Sequence, residues 1–251
     1  MRFKSSNPVF THVSKSNETN YTYVTGKTAT FSGIAIKSGF LLAIIFGISA
    51  LIWTNLNTLT PYLGAMMIGG MIVGFISVLV ASFSRTSSPF FTILYAICEG
   101  LVLGSLSALL NQVLPGIVFD AVVITFIIFG FLLVAYSTGI FKVGFTFRKI
   151  FMTALFGIMI FYLFHFIFGV LLGVSFLQIN NPGLLLVISL IMVVMASFSL
   201  LIDFDNCKLS VKSGVPSHYE WYLSLGLLVS LVWLYMEILR LLIIISSYFR
   251  D

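Results

Sequence analysis

Seven runs of apolar residues dominate the chain, near positions 38–55, 62–83, 90–110, 117–137, 150–174, 183–202 and 220–247. Each reaches or approaches the roughly 20 residues that an α-helix needs to cross the hydrocarbon of a bilayer. A soluble domain cannot hide that much apolar surface, whereas a bilayer removes the need for a polar exterior. Composition agrees, with hydrophobic residues at 59% and charged residues at 8% of 251 positions; about a quarter of an ordinary soluble domain is charged. No run alternates polar and apolar residues with a period of two, which excludes a transmembrane β-barrel. The pattern predicts an all-α integral membrane protein: a seven-transmembrane-helix bundle over residues 37–251 behind a polar, cytoplasmic N-terminal arm at residues 1–36.

The pieces between the runs are short and turn-like: Asn55 to Pro61, Ser84 to Pro89, Asn111 to Gly116 and Asn180 to Gly183. Basic residues are distributed unevenly among the connections. Arg85 lies between spans two and three, Lys142, Arg148 and Lys149 between four and five, and Lys208 and Lys212 between six and seven. The other three loops hold no Lys or Arg, while the arm carries Arg2, Lys4, Lys15 and Lys27. Cytoplasmic loops of membrane proteins are enriched in these residues, so the N-terminus and the three basic loops are expected in the cytoplasm. The net charge of +5 therefore reads as membrane orientation, not nucleic-acid binding, since no basic stripe interleaved with aromatics occurs. The first run begins too late for a signal peptide and reads as a retained span. Seven full crossings would place Arg250 and Asp251 outside, whereas a re-entrant last helix would return them inside.

Small residues recur at four-residue spacing in three spans: Gly70 and Gly74; Gly100, Gly104 and Ala108; Gly169 and Gly173. Such spacing lets helix backbones approach closely, and packing within the bundle is the expected use ahead of a homodimer seam. Cys98 lies in an apolar run and Cys207 in a polar loop, a placement that predicts no disulfide between them. No two-fold internal repeat of the transporter kind is visible.

Ionisable residues inside a membrane are expensive and tend to mark ion or proton pathways. Glu99 sits near the centre of span three, where a carboxylate must face the bundle interior, be protonated or meet a cation. Asp203 and Asp205 close the sixth apolar run, where they read as residues at a helix C-terminus facing an unfavourable dipole. Two positions apart, they point in different directions on a helix. Glu220 opens the seventh run, a favourable place for a carboxylate and so a structural one. Glu237 and Arg240 are three apart and share a helix face, with Ser230 two turns earlier on nearly the same face. A helix with such a polar stripe belongs in the middle of a bundle.

Catalytic chemistry finds little support. No clustered Cys/His spacing, HExxH or GxSxG motif is present. His165 stands alone in its span and reads as a packing residue. A retinal-binding receptor would need a lysine in the last helix, which has none. The expectation is a protein that is not an enzyme and needs no cofactor.

An ordered set of segments resembles the Bax inhibitor-1 (transmembrane Bax inhibitor motif) family in its bacterial YccA-like branch. They are the Ser6–Phe10 opening (SNPVF), Tyr95–Gly104 (YAICEGLVLG), Ser137–Lys142 (STGIFK), Leu201–Asp205 (LIDFD), Glu220–Gly226 (EWYLSLG) and Leu234–Leu242 (LYMEILRLL). The resemblance implies residence in a bacterial plasma (inner) membrane and a seven-helix fold whose last helix is wrapped by the other six. It also implies a pH-sensitive calcium leak pathway in which acidic residues of helices six and seven form a closing pair. Carried onto this chain, the sixth-helix acid falls on Asp203 or Asp205 and the seventh-helix acid on Ser230, a departure that removes one carboxylate. Glu237 or Glu220 could replace it only through a shifted geometry. The functional expectation is a cation leak pathway that uses Glu99, Asp203 and Asp205, with calcium as transported ion held only transiently because few oxygen ligands are available. The alternative is a non-conducting regulator that binds a membrane quality-control protease or insertion machinery.

Overall fold

The computed structural model describes residues 27–83, 88–172 and 182–248. Most of the N-terminal arm, Arg85, Gly173, the side chain of His165, and Arg250 and Asp251 lie outside the described residues. Seven long helices follow one another: α1 Phe31–Thr54, α2 Leu63–Phe83, α3 Ser88–Val113, α4 Ile117–Ser137, α5 Phe145–Leu172, α6 Pro182–Lys212 and α7 Tyr219–Tyr248. A helical turn, Leu56–Leu59, and a 3-10 turn, Thr60–Tyr62, lead into α2. All seven spans are long and apolar enough to cross a membrane. The last is one unbroken helix of 30 residues, about 45 Å at 1.5 Å per residue. That length suits a full crossing, not a re-entrant loop.

Several boundaries differ from the apolar runs, each for a local reason. α1 starts within the expected arm because the Thr30 hydroxyl accepts from Gly33 N at 3.0 Å and caps the helix, satisfying an otherwise orphan donor. α6 continues to Lys212, past the apparent end at 202. Its extra turns still carry an apolar stripe, because Cys207 and Val211 pack with Ile34 of α1 and Leu223 of α7. Cys207 is therefore a buried helical residue, not a loop residue, and both cysteines are free. Gly214 then turns the chain with φ +66°, a left-handed conformation that a side chain resists.

The small residues hold the bundle together. At Gly70 a Cβ would fall 2.9 Å from the Cys98 carbonyl oxygen of α3. At Gly104 it would fall 2.9 Å from the Ser49 Cα of α1, and at Gly100 3.1 Å from the Ile45 carbonyl oxygen. α3 is thus clamped between α1 and α2 by glycine on both sides, the close approach that small residues permit where no hydrophobic force joins helices. Among the described residues nothing comparable faces Gly169, where a Cβ would meet open space.

α7 takes the central place. It packs against α1, α2, α3, α4 and α6. Its buried residues Leu225, Leu228, Leu231, Leu234, Ile238 and Leu239 spread over about half of its circumference, a wider buried face than a surface helix shows. α5 departs from the expectation that six helices wrap the seventh. It leans mainly on α6, and only 6% of its apolar window is buried, against 44% for α7.

Candidate functional site

Because α6 runs on to Lys212, Asp203 and Asp205 lie about two turns inside it. The expected clash with a helix C-terminal dipole therefore does not arise, since that effect fades within the last turn. The two acids are separated by about 200° around the axis, and they meet different partners.

Asp203 faces α7. Its Oδ2 accepts a hydrogen bond of 2.5 Å from the Ser230 hydroxyl, which also lies 2.8 Å from the Ser199 hydroxyl. Ser199 and Asp203 are four apart on α6, hence on one face, and Ser230 is inserted between them. Asn206 adds a second hydrogen bond to Asp203. This group borders a polar cavity of about 550 Å³ between α2, α6 and α7, with Ser82, Ser210, Tyr222 and Gly226 on its other walls. It lies near the end of α6 and the start of α7, the end of the bundle that also carries Lys208 and Lys212.

Asp205 turns to α4 and α5. Arg148, at the start of α5, reaches it with Nη2 at 2.5 Å and donates from Nη1 to Asn206 Oδ1 at 2.8 Å. The Tyr136 hydroxyl of α4 donates to Asp205 Oδ1 at 2.7 Å, and the Lys208 ammonium lies 5.2 Å from the Tyr136 ring centre, within cation–π range. Three helices are tied through one carboxylate.

Of the remaining described acids, Glu220, Glu237 and Glu99 are engaged, while Asp120 lies in the first turn of α4, where a carboxylate suits the helix dipole. Glu220 is buried and forms an ion pair with Lys37 of α1. It accepts from Thr30 N at 2.8 Å and from the Thr30 hydroxyl at 3.2 Å. It serves the start of α1 across the bundle as well as the start of its own helix, and both positions suit a negative charge. Glu237 is buried, accepts from Trp233 Nε1 at 3.2 Å and pairs with Arg240 Nη1 at 3.1 Å. The polar stripe of α7 is therefore split: Ser230 works with α6, while Glu237 is neutralised on its own helix. Glu99 is half-buried and hydrogen-bonded to Tyr95, one turn earlier on α3.

Glu99, Asp203 and Asp205 do not come together as one ligand set. Among the described residues no hydrogen bond or ion pair joins Glu99 to either aspartate, and no group of three His, Cys, Asp or Glu could hold a metal. The cause is geometric, with divergent faces on α6 and a local partner on α3. Neither Glu220 nor Glu237 takes the place of the missing seventh-helix acid beside Asp203; each is held by its own lysine or arginine.

Reading the chain alone missed Lys37, Tyr136, Ser199 and Asn206, and took Arg148 only as a loop charge. Their partners are distant in sequence, 183 positions for Lys37 and Glu220 and 57 for Arg148 and Asp205. The only local hint was that each cation sits next to an apolar run it could enter.

The model of a protein family described as Bax inhibitor 1 like matches residues 7–247. The chain belongs to this family. No curated protein and no solved structure matches it. In this Bax inhibitor 1 like chain the central last helix and the acids of α6 are both present, with Ser230 as the α7 residue that faces Asp203.

Proposed function

We propose that this Bax inhibitor 1 like membrane protein is a pH-sensitive cation leak pathway entered through the Asp203 cavity. One observation carries the reading. Of the described acids within the helices, Asp205, Glu220 and Glu237 are each neutralised by Arg148, Lys37 or Arg240. Glu99 and Asp120, which like Asp203 have no ion pair among the described residues, do not border the cavity between α2, α6 and α7. Asp203 borders a polar cavity and, among the described residues, has hydroxyl and amide partners and no cation. An uncompensated carboxylate at such a mouth attracts cations and raises their local concentration. Calcium, the ion that the family resemblance implies, would find a single carboxylate there, and so would be held weakly and released. Protonation of Asp203, with Cys207, Tyr222 and the more distant Arg148 as its ionisable surroundings, would remove the attraction and make flux depend on pH.

The test is ion flux in proteoliposomes containing the folded protein. Asp203→Asn is expected to reduce cation entry and flatten its pH dependence, whereas Glu237→Gln leaves the pH dependence in place. Calcium entry unchanged by Asp203→Asn would overturn the pathway. Absence of flux from folded protein would leave the non-conducting regulator, bound to a protease or insertion machine, as the standing alternative.

A further inference from the structure

A second cavity, of about 170 Å³, lies on the opposite side of α7 from Asp203, between α1, α3, α4 and α7. Its walls include Trp53, Leu103, Val122, Leu231 and Tyr235, and no charged residue borders it. The hydroxyls around it are already engaged. Ser107 and Tyr235 face each other at 3.4 Å, Thr125 donates to the Ala121 carbonyl at 2.7 Å, and Ser49 donates to the Gly100 carbonyl at 3.2 Å. A buried water needs two to four polar partners, and an apolar cavity of about 150 Å³ stays dry and takes up hydrocarbon. Water therefore does not fill this space.

The cavity opens sideways. α1 and α4 both pack on α7 but scarcely on each other, and the gap between them is bridged by Phe46 and Phe126, stacked with ring centres 6.1 Å apart. Both rings are exposed on the outer surface of the bundle, at 46% and 40%. Both helices are long and apolar enough to cross a membrane, so what surrounds those rings is lipid hydrocarbon. A helix, about 10 Å across, is too wide for the space, whereas one hydrocarbon chain is not. Trp53, near the end of α1, lines the same cavity, and tryptophan favours the level of the lipid headgroups.

We infer that this cavity is a lateral binding site for one acyl chain of a membrane phospholipid, which enters between α1 and α4 past Phe46 and Phe126 and rests against α7. The headgroup stays outside near Trp53, and the chain replaces empty space against Leu103, Val122 and Leu231. Recognition is by shape and apolar contact, because no charged residue lines the site and its few hydroxyls face one another or backbone carbonyls. The inference does not depend on the cation pathway.

Photolabelling of the full-length protein in phosphatidylcholine vesicles tests it. The probe is a phosphatidylcholine with a diazirine near the end of one acyl chain, and adducts are located by peptide mass spectrometry. Expected are adducts on Leu103, Leu231 or Tyr235, which are buried and beyond the reach of lipid that merely coats the bundle. A probe with the diazirine on its headgroup should label none of them. Filling the space with Val122→Trp should abolish the inner adducts and retain those on the lipid-facing rings. Wild-type labelling confined to lipid-facing residues would overturn the inference, whether or not Val122→Trp folds. Equal inner labelling by the headgroup probe, or inner adducts undiminished in folded Val122→Trp, would overturn it as well.

Discussion

Glu220 shows how a buried carboxylate can be a structural device. It takes a charge from Lys37 and two hydrogen bonds from Thr30, on the helix that begins beside it. Removing one partner leaves the other charge uncompensated, at a cost below the roughly 3 to 5 kcal/mol of a fully buried pair, since Lys37 is partly exposed. Glu220→Ala should therefore lower the thermal unfolding temperature in detergent markedly, with Lys37→Met plus Glu220→Met recovering much of the loss. A melt unchanged by Glu220→Ala would show that the pair does not hold α1. Asp205 makes a parallel case: Asp205→Asn should loosen the α4–α5–α6 junction, read as faster amide exchange at the start of α5. It should leave the Ser230–Asp203 contact intact. Asp203→Asn should shift the melt less than Glu220→Ala, because its partners are neutral: the Ser230 hydroxyl of α7 and Asn206 of its own helix.

Helices α1, α2 and α3 meet backbone to backbone, and their glycines are the reason. Gly104→Ala sets a methyl 2.9 Å from both the Ser49 Cα and the Ile52 side chain, and Gly70→Ala sets one 2.9 Å from a backbone carbonyl. Overpacking of this kind costs about 1 to 3 kcal/mol. Both substitutions should depress the melt, while Gly47→Ala, where a Cβ meets open space, should be neutral or slightly stabilising through helix propensity. Equal effects at all three positions would refute the clamp. The four-residue spacing of these glycines was legible in the chain; which helices they admit was not, because spacing defines a face and leaves its partner open. The end of α6 was misplaced for a related reason. Hydropathy falls where Asp203 and Asp205 enter, yet the helix persists because Ser230 and Arg148 satisfy those acids from other elements.

At the scale of the molecule, seven crossings place the start of α1 and the end of α7 on opposite faces, and the basic connections join helices at one of them. Reporter fusions check this directly. Fusions after Lys142 and Ser213 should report a cytoplasmic position, and those after Asn57 and Pro115 the other side. The reverse pattern would overturn the orientation. The apolar runs by themselves determined that the chain is a seven-helix membrane protein. Helix formation in hydrocarbon is dictated locally, since each span must satisfy its own backbone hydrogen bonds. The same runs marked most of the acids that needed explaining, because a charge in an apolar run is visible one residue at a time. Which acids are neutralised, and which one meets Ser230 at the cavity between α2, α6 and α7, was decided only by the tertiary structure. Lys37 with Glu220, Arg148 with Asp205 and Ser230 with Asp203 are partners brought together by packing from distant positions, and a polar contact of that kind has no period and no local signature.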